Sequence, residues 1–265
     1  MHASISGRLP IDPFFRYVAL SFDTESGAAM LICPTTRTKL LSFLPEGGEV
    51  AEIGVANGDF SQDILAQTHP RRLHLIDPWE RQDREDYADD PSNVSKPEQD
   101  HRFNAVLARF LEQIDGGIVK VHREYSAHAA KFFADGQLDW IYIDGMHTAE
   151  AAYADLVTYA RKIRDDGFII GHDYTNHVQA QEWNFGVVAA VNRFVLEFDY
   201  EFVVLTVEAF PTYVLARDRI MARRLTDALV RSVPYVLEIR DFPRRNEFQH
   251  KSLSSPKGTL VYPSF

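Results

Sequence analysis

Residues 50–61 read VAEIGVANGDFS, and the character of the chain changes in the middle of this run. The first four residues are typical of a buried strand, two glycines, Gly54 and Gly58, enclose a turn, and a helical pattern begins near Phe60. Gly54 lets the backbone approach a ligand closely, and Gly58 allows a tight entry into the helix. Ligands of open parallel sheets bind at the carboxyl ends of the strands, so we expect a binding site beside this turn.

The same strand-turn-helix pattern continues to about residue 216. We predict strands at Glu49–Ile53, Leu73–Ile76, Ile118–His122, Leu138–Ile143 and Phe168–Gly171. We predict helices at Phe60–Gln67, Gln99–Ile114, Ala127–Phe133, Ala149–Ile163 and Val187–Phe198. Such alternation favours an α/β fold in which helices cover both faces of a parallel sheet.

Two further strands are predicted at Glu201–Val207 and Thr212–Ala216. Only residues 208–211 separate them, which is too short for a helical crossover, so the two strands should pair as an antiparallel hairpin. The sequence therefore predicts a Rossmann-like sandwich with a mostly parallel, seven-stranded sheet that ends in this hairpin.

The composition excludes several classes of protein. The 265 residues include 28 Lys and Arg against 38 Asp and Glu, a net charge of −10, which argues against nucleic-acid and anionic-membrane binding. Apolar runs fall far short of the about 20 residues of a membrane span, and residues 1–10 do not resemble a secretory signal. Cys33 is the sole cysteine, so an internal disulfide is excluded and a reducing cytoplasm is the expected location.

We divide the chain into an N-terminal extension with one helix (1–46), a main domain (47–216) and a basic C-terminal helix and tail (217–265). Residues 217–265 contain ten basic and five acidic side chains, so this part could fold back on the acidic domain or support a homo-oligomer; a solvated helix with a frayed end is the alternative. Within the domain, the polar segment 78–104 is a candidate lid, with a solvated insertion as its alternative.

An acid ends the second predicted strand. Asp77 follows this strand about 20 residues after the glycine turn, where a carboxylate can accept hydrogen bonds from the ribose hydroxyls of an adenosine-containing cofactor. The spacing Gly54-x-x-x-Gly58 lacks the third glycine of the dinucleotide-binding motif, so it fits a single adenosine better than a pyrophosphate.

Two later strands end in acids that are accompanied by histidines. Residues 141–147 read IYIDGMH and residues 168–174 read FIIGHDY. Neighbouring parallel strands would bring Asp144 and Asp173 to one edge of the sheet, where two carboxylates suit Mg²⁺ or another divalent cation. His147 is then a candidate base and His172 a residue that orients Asp173, although an acid before a glycine is often only a turn residue.

These motifs resemble the class I S-adenosylmethionine-dependent small-molecule O-methyltransferases. The pattern is most similar to the group that includes the metal-dependent macrolide-sugar O-methyltransferases, and more distantly to catechol O-methyltransferase. The resemblance covers about residues 47–216 and rests on EIGVANGDFS, IDPW, IYIDGMH and FIIGHDY. It implies an enzyme that moves a methyl group from S-adenosylmethionine to a hydroxyl of a sugar or another hydroxylated metabolite.

The resemblance also implies roles for individual residues. Glu52, Gly54 and Gly58 would lie beside the methionine part of the cofactor, Asp77 would bind the ribose, and the adenine would face residues 123–126, of which Ser126 is our candidate. Asp144, next to the cofactor, and Asp173 would hold the cation, and His147 would be the base. A third acidic ligand is expected among Glu52, Asp77 and residues 80–90.

Methyl transfer from a sulfonium needs an oriented and partly deprotonated acceptor. A cation bound to the acceptor oxygen lowers its pKa, and a histidine can then remove the proton. Two alternatives remain at this stage: a cofactor-binding module without catalysis, and a nicotinamide-dependent oxidoreductase. The paired Asp and His motifs argue against the first, and the missing glycine and the hairpin argue against the second.

Overall fold

The computed structural model describes residues 29–256 and 258–265. The first 28 residues of the expected N-terminal extension lie outside this range. The strands are β1 (Ala29–Cys33), β2 (Glu49–Ile53), β3 (Arg72–Ile76), β4 (Val119–His122), β5 (Leu138–Ile143), β6 (Ile163–Gly171), β7 (Glu201–Thr206), β8 (Tyr213–Ala216), β9 (Leu237–Arg240), β10 (Gln249–Ser255) and β11 (Gly258–Ser264). The helices are α1 (Arg37–Leu40), α2 (Asp59–Thr68), α3 (Lys96–Arg109), α4 (Leu111–Asp115), α5 (Ser126–Ala129), α6 (Ala149–Ala160), α7 (Val178–Glu182), α8 (Val187–Glu197) and α9 (Arg219–Ser232).

In the described part of the chain, the central sheet has nine strands in the order β4-β3-β2-β5-β6-β8-β7-β1-β9. The pairs from β4 to β6 are parallel, and β8 runs antiparallel to both β6 and β7. The predicted α/β fold, with its mostly parallel sheet and terminal antiparallel hairpin, is therefore confirmed.

Two strands extend this sheet beyond the seven that were predicted. Strand β1 pairs in parallel with β7, and β9 pairs antiparallel with β1 at the outer edge. The apolar sequence AMLIC of β1 was not predicted as a strand, because its partner β7 lies far along the chain and only the folded sheet brings them together. The N-terminal extension and the C-terminal tail thus both contribute to the main sheet.

Two hydrophobic cores lie on opposite faces of the sheet, and β5 shows why. Its residues alternate, so Ile141 and Ile143 join one core while Trp140 and Tyr142 join the other. The first core also contains the buried faces of α6 and α8, and the second contains those of α2, α3 and α9. The sheet is thereby covered on both sides.

The chain beyond residue 216 folds back on the domain. Helix α9 buries Ala222, Leu225 and Leu229, and it is followed by β9 and by the two-stranded sheet of β10 and β11. His250, in β10, lies with Nδ1 2.6 Å from the hydroxyl of Thr175, just after β6. None of the helices that the structure describes combines the length and the apolar character needed to cross a bilayer.

A buried chain of polar groups connects three neighbouring strands and predicts a pH-dependent stability. His74 lies 3.0 Å from Glu49 through Nε2 and 2.9 Å from His122 through Nδ1. Burial lowers the pKa of His74, and burial together with the charges of His74 and Lys120 lowers the pKa of His122 to about 4. The unfolded chain therefore binds more protons between about pH 4 and 6.5, so this stabilisation is complete above pH 6.5 and is lost on acidification.

We expect His122→Gln, which cannot titrate, to lose less stability than the wild type between pH 7 and pH 5. The fall in Tm should be smaller by about 2–4 °C, the equivalent of about 1 kcal/mol in a chain of this size. Thermal denaturation at the two pH values measures the difference. His101→Gln, at an exposed position of α3, should keep the wild-type pH dependence. An equal fall in Tm between pH 7 and pH 5 for His122→Gln and the wild type would contradict the prediction.

Candidate active site

A cavity of about 530 Å³ lies at the carboxyl ends of β2, β3 and β5. Helix α6 closes one side of it, and residues 78–92 together with α3 close another. The lining includes Gly54, Ala56, Asp77, Glu80, Gln82, Arg84, Tyr87, Ser92, Arg102, Tyr125, Ser126, Asp144, His147 and Asp155. Among the residues predicted to bind a cofactor, this brings together Gly54, Asp77, Ser126 and Asp144.

Gly54 allows β2 and β5 to approach each other at the cavity. Its φ is +83°, and a Cβ atom there would lie 1.8 Å from the carbonyl oxygen of Asp144. No side chain fits between these two backbones, so the glycine is required for the strand ends to meet. The amide of Asp144 also donates to the carbonyl of Ile53 at 2.8 Å.

Gly58 and Glu52 are placed outside the lining of the cavity. Gly58, with a φ of +76°, begins α2, and a Cβ atom there would lie 2.7 Å from the ring of Phe110. Glu52 is 1% exposed and accepts a hydrogen bond from Ser61 at 2.5 Å; burial raises its pKa to about 8. Both residues therefore support the packing around the turn, where the resemblance implied contact with the cofactor.

Asp77 fixes the shape of the glycine turn. Its Oδ2 accepts from the amides of Val55 and Ala56, both at 3.0 Å, and its Oδ1 accepts from the amide of Trp79 at 2.7 Å. Burial raises the pKa of Asp77, and these three hydrogen bonds oppose the rise. The carboxylate lies on the cavity wall, in the place where a ribose ligand was predicted.

Ser126 begins α5 on the opposite wall and pairs with an acid of α6. Its hydroxyl donates to Oδ1 of Asp155 at 2.5 Å, and its carbonyl accepts from the hydroxyl of Tyr159 at 2.8 Å. Burial raises the pKa of Asp155 to about 6. Asp155 was not predicted as a site residue; the available signal was an acid beside the apolar face of a helix, next to Leu156 and Tyr159.

His147 follows β5 and lies between three carboxylates. Its Nδ1 is 2.7 Å from Oδ2 of Asp90, whose side chain is 1% exposed. Its Nε2 is 2.9 Å from Oδ2 of Asp173 and 3.5 Å from Oδ1 of Asp144. This nitrogen is buried and has no partner with hydrogen-bond geometry among the described residues. If Nδ1 donates to Asp90, a lone pair of Nε2 faces the two aspartates.

Asp144 and Asp173 face each other as predicted, and two more basic side chains lie beside them. His172 places Nδ1 3.2 Å from Asp173 and 3.7 Å from Asp144. Asp173 adopts a left-handed φ of 58°, an uncommon conformation for a residue other than glycine. Arg37 of α1 donates to Asp144 at 3.1 Å and stacks on Phe60. Arg37 was not predicted as a site residue, because nothing in its local sequence indicates that it reaches this edge.

The electrostatics of the cluster favour a positive charge at Nε2 of His147. Burial favours the neutral imidazole, but the carboxylates of Asp173, Asp144 and Asp90 outweigh this effect and raise the pKa of His147 well above its usual range. Asp144, His147 and Asp173 each offer one ligand atom within 4.8 Å of the others. The residues present therefore fit either a protonated imidazole or a divalent cation among the carboxylates.

Among the described residues, no third carboxylate joins the group of Asp144, His147 and Asp173 that could hold a cation. Glu52 is paired with Ser61, Asp77 holds the glycine turn, and Asp90 is on the far ring nitrogen of His147. Nδ1 of His172 is instead the potential ligand atom that lies next to both aspartates.

The segment predicted as a lid lines the cavity. Asn93 bonds with both the amide and the carbonyl of Gln82, and Tyr87 bonds with Ser92. The segment is therefore cross-linked within itself, and Asp90 connects it to His147.

Comparison with known protein families finds one similarity within the chain. Residues 51–174 match the model of a protein family described as a methyltransferase domain. This range begins at the glycine turn and includes Asp77, Asp144 and Asp173. No curated protein sequence matches the chain.

Solved structures with a similar architecture are distant. Spermidine synthase from Thermotoga maritima has a TM-score of 0.47 and 12% identity, over 75% of this chain and 63% of that one. The M1A22 tRNA methyltransferase TrmK of B. subtilis has a TM-score of 0.46 and 9% identity, over 69% of this chain and 67% of that one. Precorrin-6y C5,15-methyltransferase from Geobacter metallireducens has a TM-score of 0.44 and 16% identity, over 68% of this chain and 84% of that one. The chain thus spans about three fifths of the length of the spermidine synthase, and these similarities do not bear on activity.

The family match and the sheet with its terminal hairpin agree with each other. Residues 51–174 are similar to a methyltransferase domain, and they lie within the mostly parallel sheet that ends in an antiparallel hairpin. A nicotinamide-dependent oxidoreductase is not supported.

Proposed function

We propose that the protein transfers the methyl group of S-adenosylmethionine to a hydroxyl oxygen of a small molecule, such as a sugar or another hydroxylated metabolite, with the assistance of a divalent cation. The observation that supports this most is the arrangement of His147, with one ring nitrogen on the buried Asp90 and the other facing Asp144 and Asp173. Binding of a cofactor alone would not require such a base next to paired carboxylates.

In this proposal, the cavity holds the cofactor along the glycine turn and next to Asp77. Tyr125 and Ser126 line the other side. Asp90 keeps the proton of His147 on Nδ1, so that Nε2 accepts the proton of the acceptor hydroxyl. The cavity walls orient the acceptor oxygen and limit the access of water.

Asp144 and Asp173 would hold the cation, with His172 as the neighbouring nitrogen donor. A bound cation would lower the pKa of the acceptor hydroxyl and offset the charge that keeps His147 protonated. His147 cannot be a base and a ligand through the same Nε2, because a coordinated nitrogen has no lone pair for a proton. We assign the role of base to His147 and the role of ligands to the aspartates.

The substrate class can be tested with radiolabelled S-adenosylmethionine and a library of hydroxylated metabolites. We expect label to enter at least one sugar or polyol as an ether that resists mild base. Label that enters only amines, thiols or RNA would refute the proposed acceptor while leaving the domain assignment unchanged.

The requirement for a cation is tested by Asp144→Asn. Replacing a carboxylate by an amide removes one negative charge from the cluster, so activation of methyl transfer by Mg²⁺ should be lost. Initial rates are measured over a range of Mg²⁺ concentrations after treatment with EDTA. Asp139→Asn, outside the cavity on the same strand, is the matched control and should keep the wild-type response. Full wild-type activity in excess EDTA would refute the role of the cation.

A further inference from the structure

An arginine of α3 lies at the cavity without a complete set of partners. Arg102 lines the cavity, and one of its terminal nitrogens, NH1, donates to the carbonyl of Ser92 at 3.2 Å. Its Nε is buried and has no hydrogen-bond partner within residues 29–256 and 258–265. A buried N–H of a charged group without an acceptor is costly, so its presence beside an open cavity indicates an anionic ligand.

Arg102 lies on α3 near the glycine turn. Val106, one helical turn further along α3, packs against Gly58, where a Cβ atom would lie 3.3 Å from its side chain. Arg102 is on the same face of the helix, one turn towards the cavity. It also lies close enough to Asp77 for its positive charge to act on that carboxylate. Arg102 therefore lines the same cavity as Ala56 of the glycine turn and Asp77, which accepts hydrogen bonds from that turn.

We infer that Arg102 binds the α-carboxylate of the methionine part of the cofactor, an inference that rests on the proposed use of S-adenosylmethionine. The carboxylate is the one anionic group of this cofactor, and an arginine fork matches its two oxygens. Arg84 also lines the cavity, but its guanidinium is engaged by Asp86 through Nε and NH2. Of the two arginines that line the cavity, Arg102 is thus the one whose buried Nε has no acceptor among the described residues.

The test compares two ligands that differ only in this carboxylate. S-adenosylhomocysteine contains it, and decarboxylated S-adenosylhomocysteine keeps the adenosine, the thioether and the amine. Calorimetric titration with the wild type should give a Kd about 10- to 100-fold lower for the complete ligand, as expected for a charge-assisted hydrogen-bonded pair. Arg102→Gln should bind S-adenosylhomocysteine about 10- to 100-fold more weakly and the decarboxylated ligand nearly as well as the wild type does.

Two further variants control for other effects. Arg109→Gln is the same change on the same helix at a residue paired with Asp59, and it should leave both affinities unchanged. Arg102→Lys keeps the charge without the fork and should recover part of the preference for the carboxylate. Any general loosening of residues 78–92 in Arg102→Gln would weaken both ligands equally, so the ratio of the two affinities isolates the contact.

Equal affinities of the wild type for the two ligands would overturn the inference, and so would an equal loss of both in Arg102→Gln. Failure of the wild type to bind either ligand is a different result. It would refute the methyltransferase proposal itself and the role of Arg102 with it.

Discussion

His147→Ala should lower kcat by at least about 100-fold while leaving the affinity for S-adenosylhomocysteine close to that of the wild type. The imidazole lies at the edge of the cavity with Nε2 facing the two aspartates, and the variant lacks the group to which we assign the acceptance of the substrate's proton. Steady-state kinetics with a responsive acceptor and calorimetry with the cofactor product measure the two quantities.

The same variant separates a base from a metal ligand. If His147 is the base, the affinity of His147→Ala for Mn²⁺ in calorimetry should differ little from that of the wild type. A large loss of Mn²⁺ affinity would show that Nε2 is a ligand and would contradict our assignment. Wild-type turnover would remove His147 from the reaction altogether. His101→Ala, at an exposed position of α3, is the control for a general effect of losing a histidine.

Asp90→Asn should lower kcat nearly as much, although Asp90 contacts Nδ1 of His147 and not the nitrogen that faces Asp144 and Asp173. The carboxylate of Asp90 fixes the proton of His147 on Nδ1, whereas the amide of an asparagine can donate to Nδ1 and thereby favour a proton on Nε2. An Nε2–H cannot accept the proton of the acceptor. We expect kcat to fall by about 100- to 10,000-fold, as is typical when a catalytic histidine is held in the wrong tautomer.

The histidine tautomer can be observed directly in Asp90→Asn. With a saturating divalent cation present to offset the charge that keeps His147 protonated, nitrogen NMR of the imidazole should show the proton on Nδ1 in the wild type and on Nε2 in the variant. Asp89→Asn, next to it and exposed, is the matched control and should change neither the spectrum nor the rate. An unaltered tautomer together with unaltered turnover would leave Asp90 with a purely structural role.

Local patterns were sufficient to predict the central seven strands. Short apolar runs, glycine turns and amphipathic helices indicate strands and crossovers without knowledge of distant contacts. Strand β1 was missed because its conformation depends on β7, about 170 residues further along the chain, and β9 depends in turn on β1. Pairings over such separations leave little trace in the local sequence.

The sequence predicted those residues of the candidate site that directly follow strands, and it did not predict those that are placed by packing between distant elements. Asp77, Asp144 and Asp173 each directly follow a strand, and strand ends of a parallel sheet meet at one edge. Arg37, Asp90 and Arg102 come from a short helix, an irregular segment and the face of α3, so their positions depend on packing between elements. Gly58 and Glu52 belong to a motif that is visible in the sequence, but their contacts do not follow from it. Both residues pack around the turn and do not line the cavity.

The contact of Gly54 with the backbone of Asp144 has a consequence for the evolution and engineering of this domain. With no side chain between the two strand ends, the spacing from the glycine turn to the carboxylates cannot be tuned by exchanging one amino acid for another. We therefore expect new acceptors to be accommodated by changes in the cavity wall that residues 78–92 form. Directed evolution of altered acceptor preference should accumulate its successful changes there and leave the tips of β2 and β5 untouched.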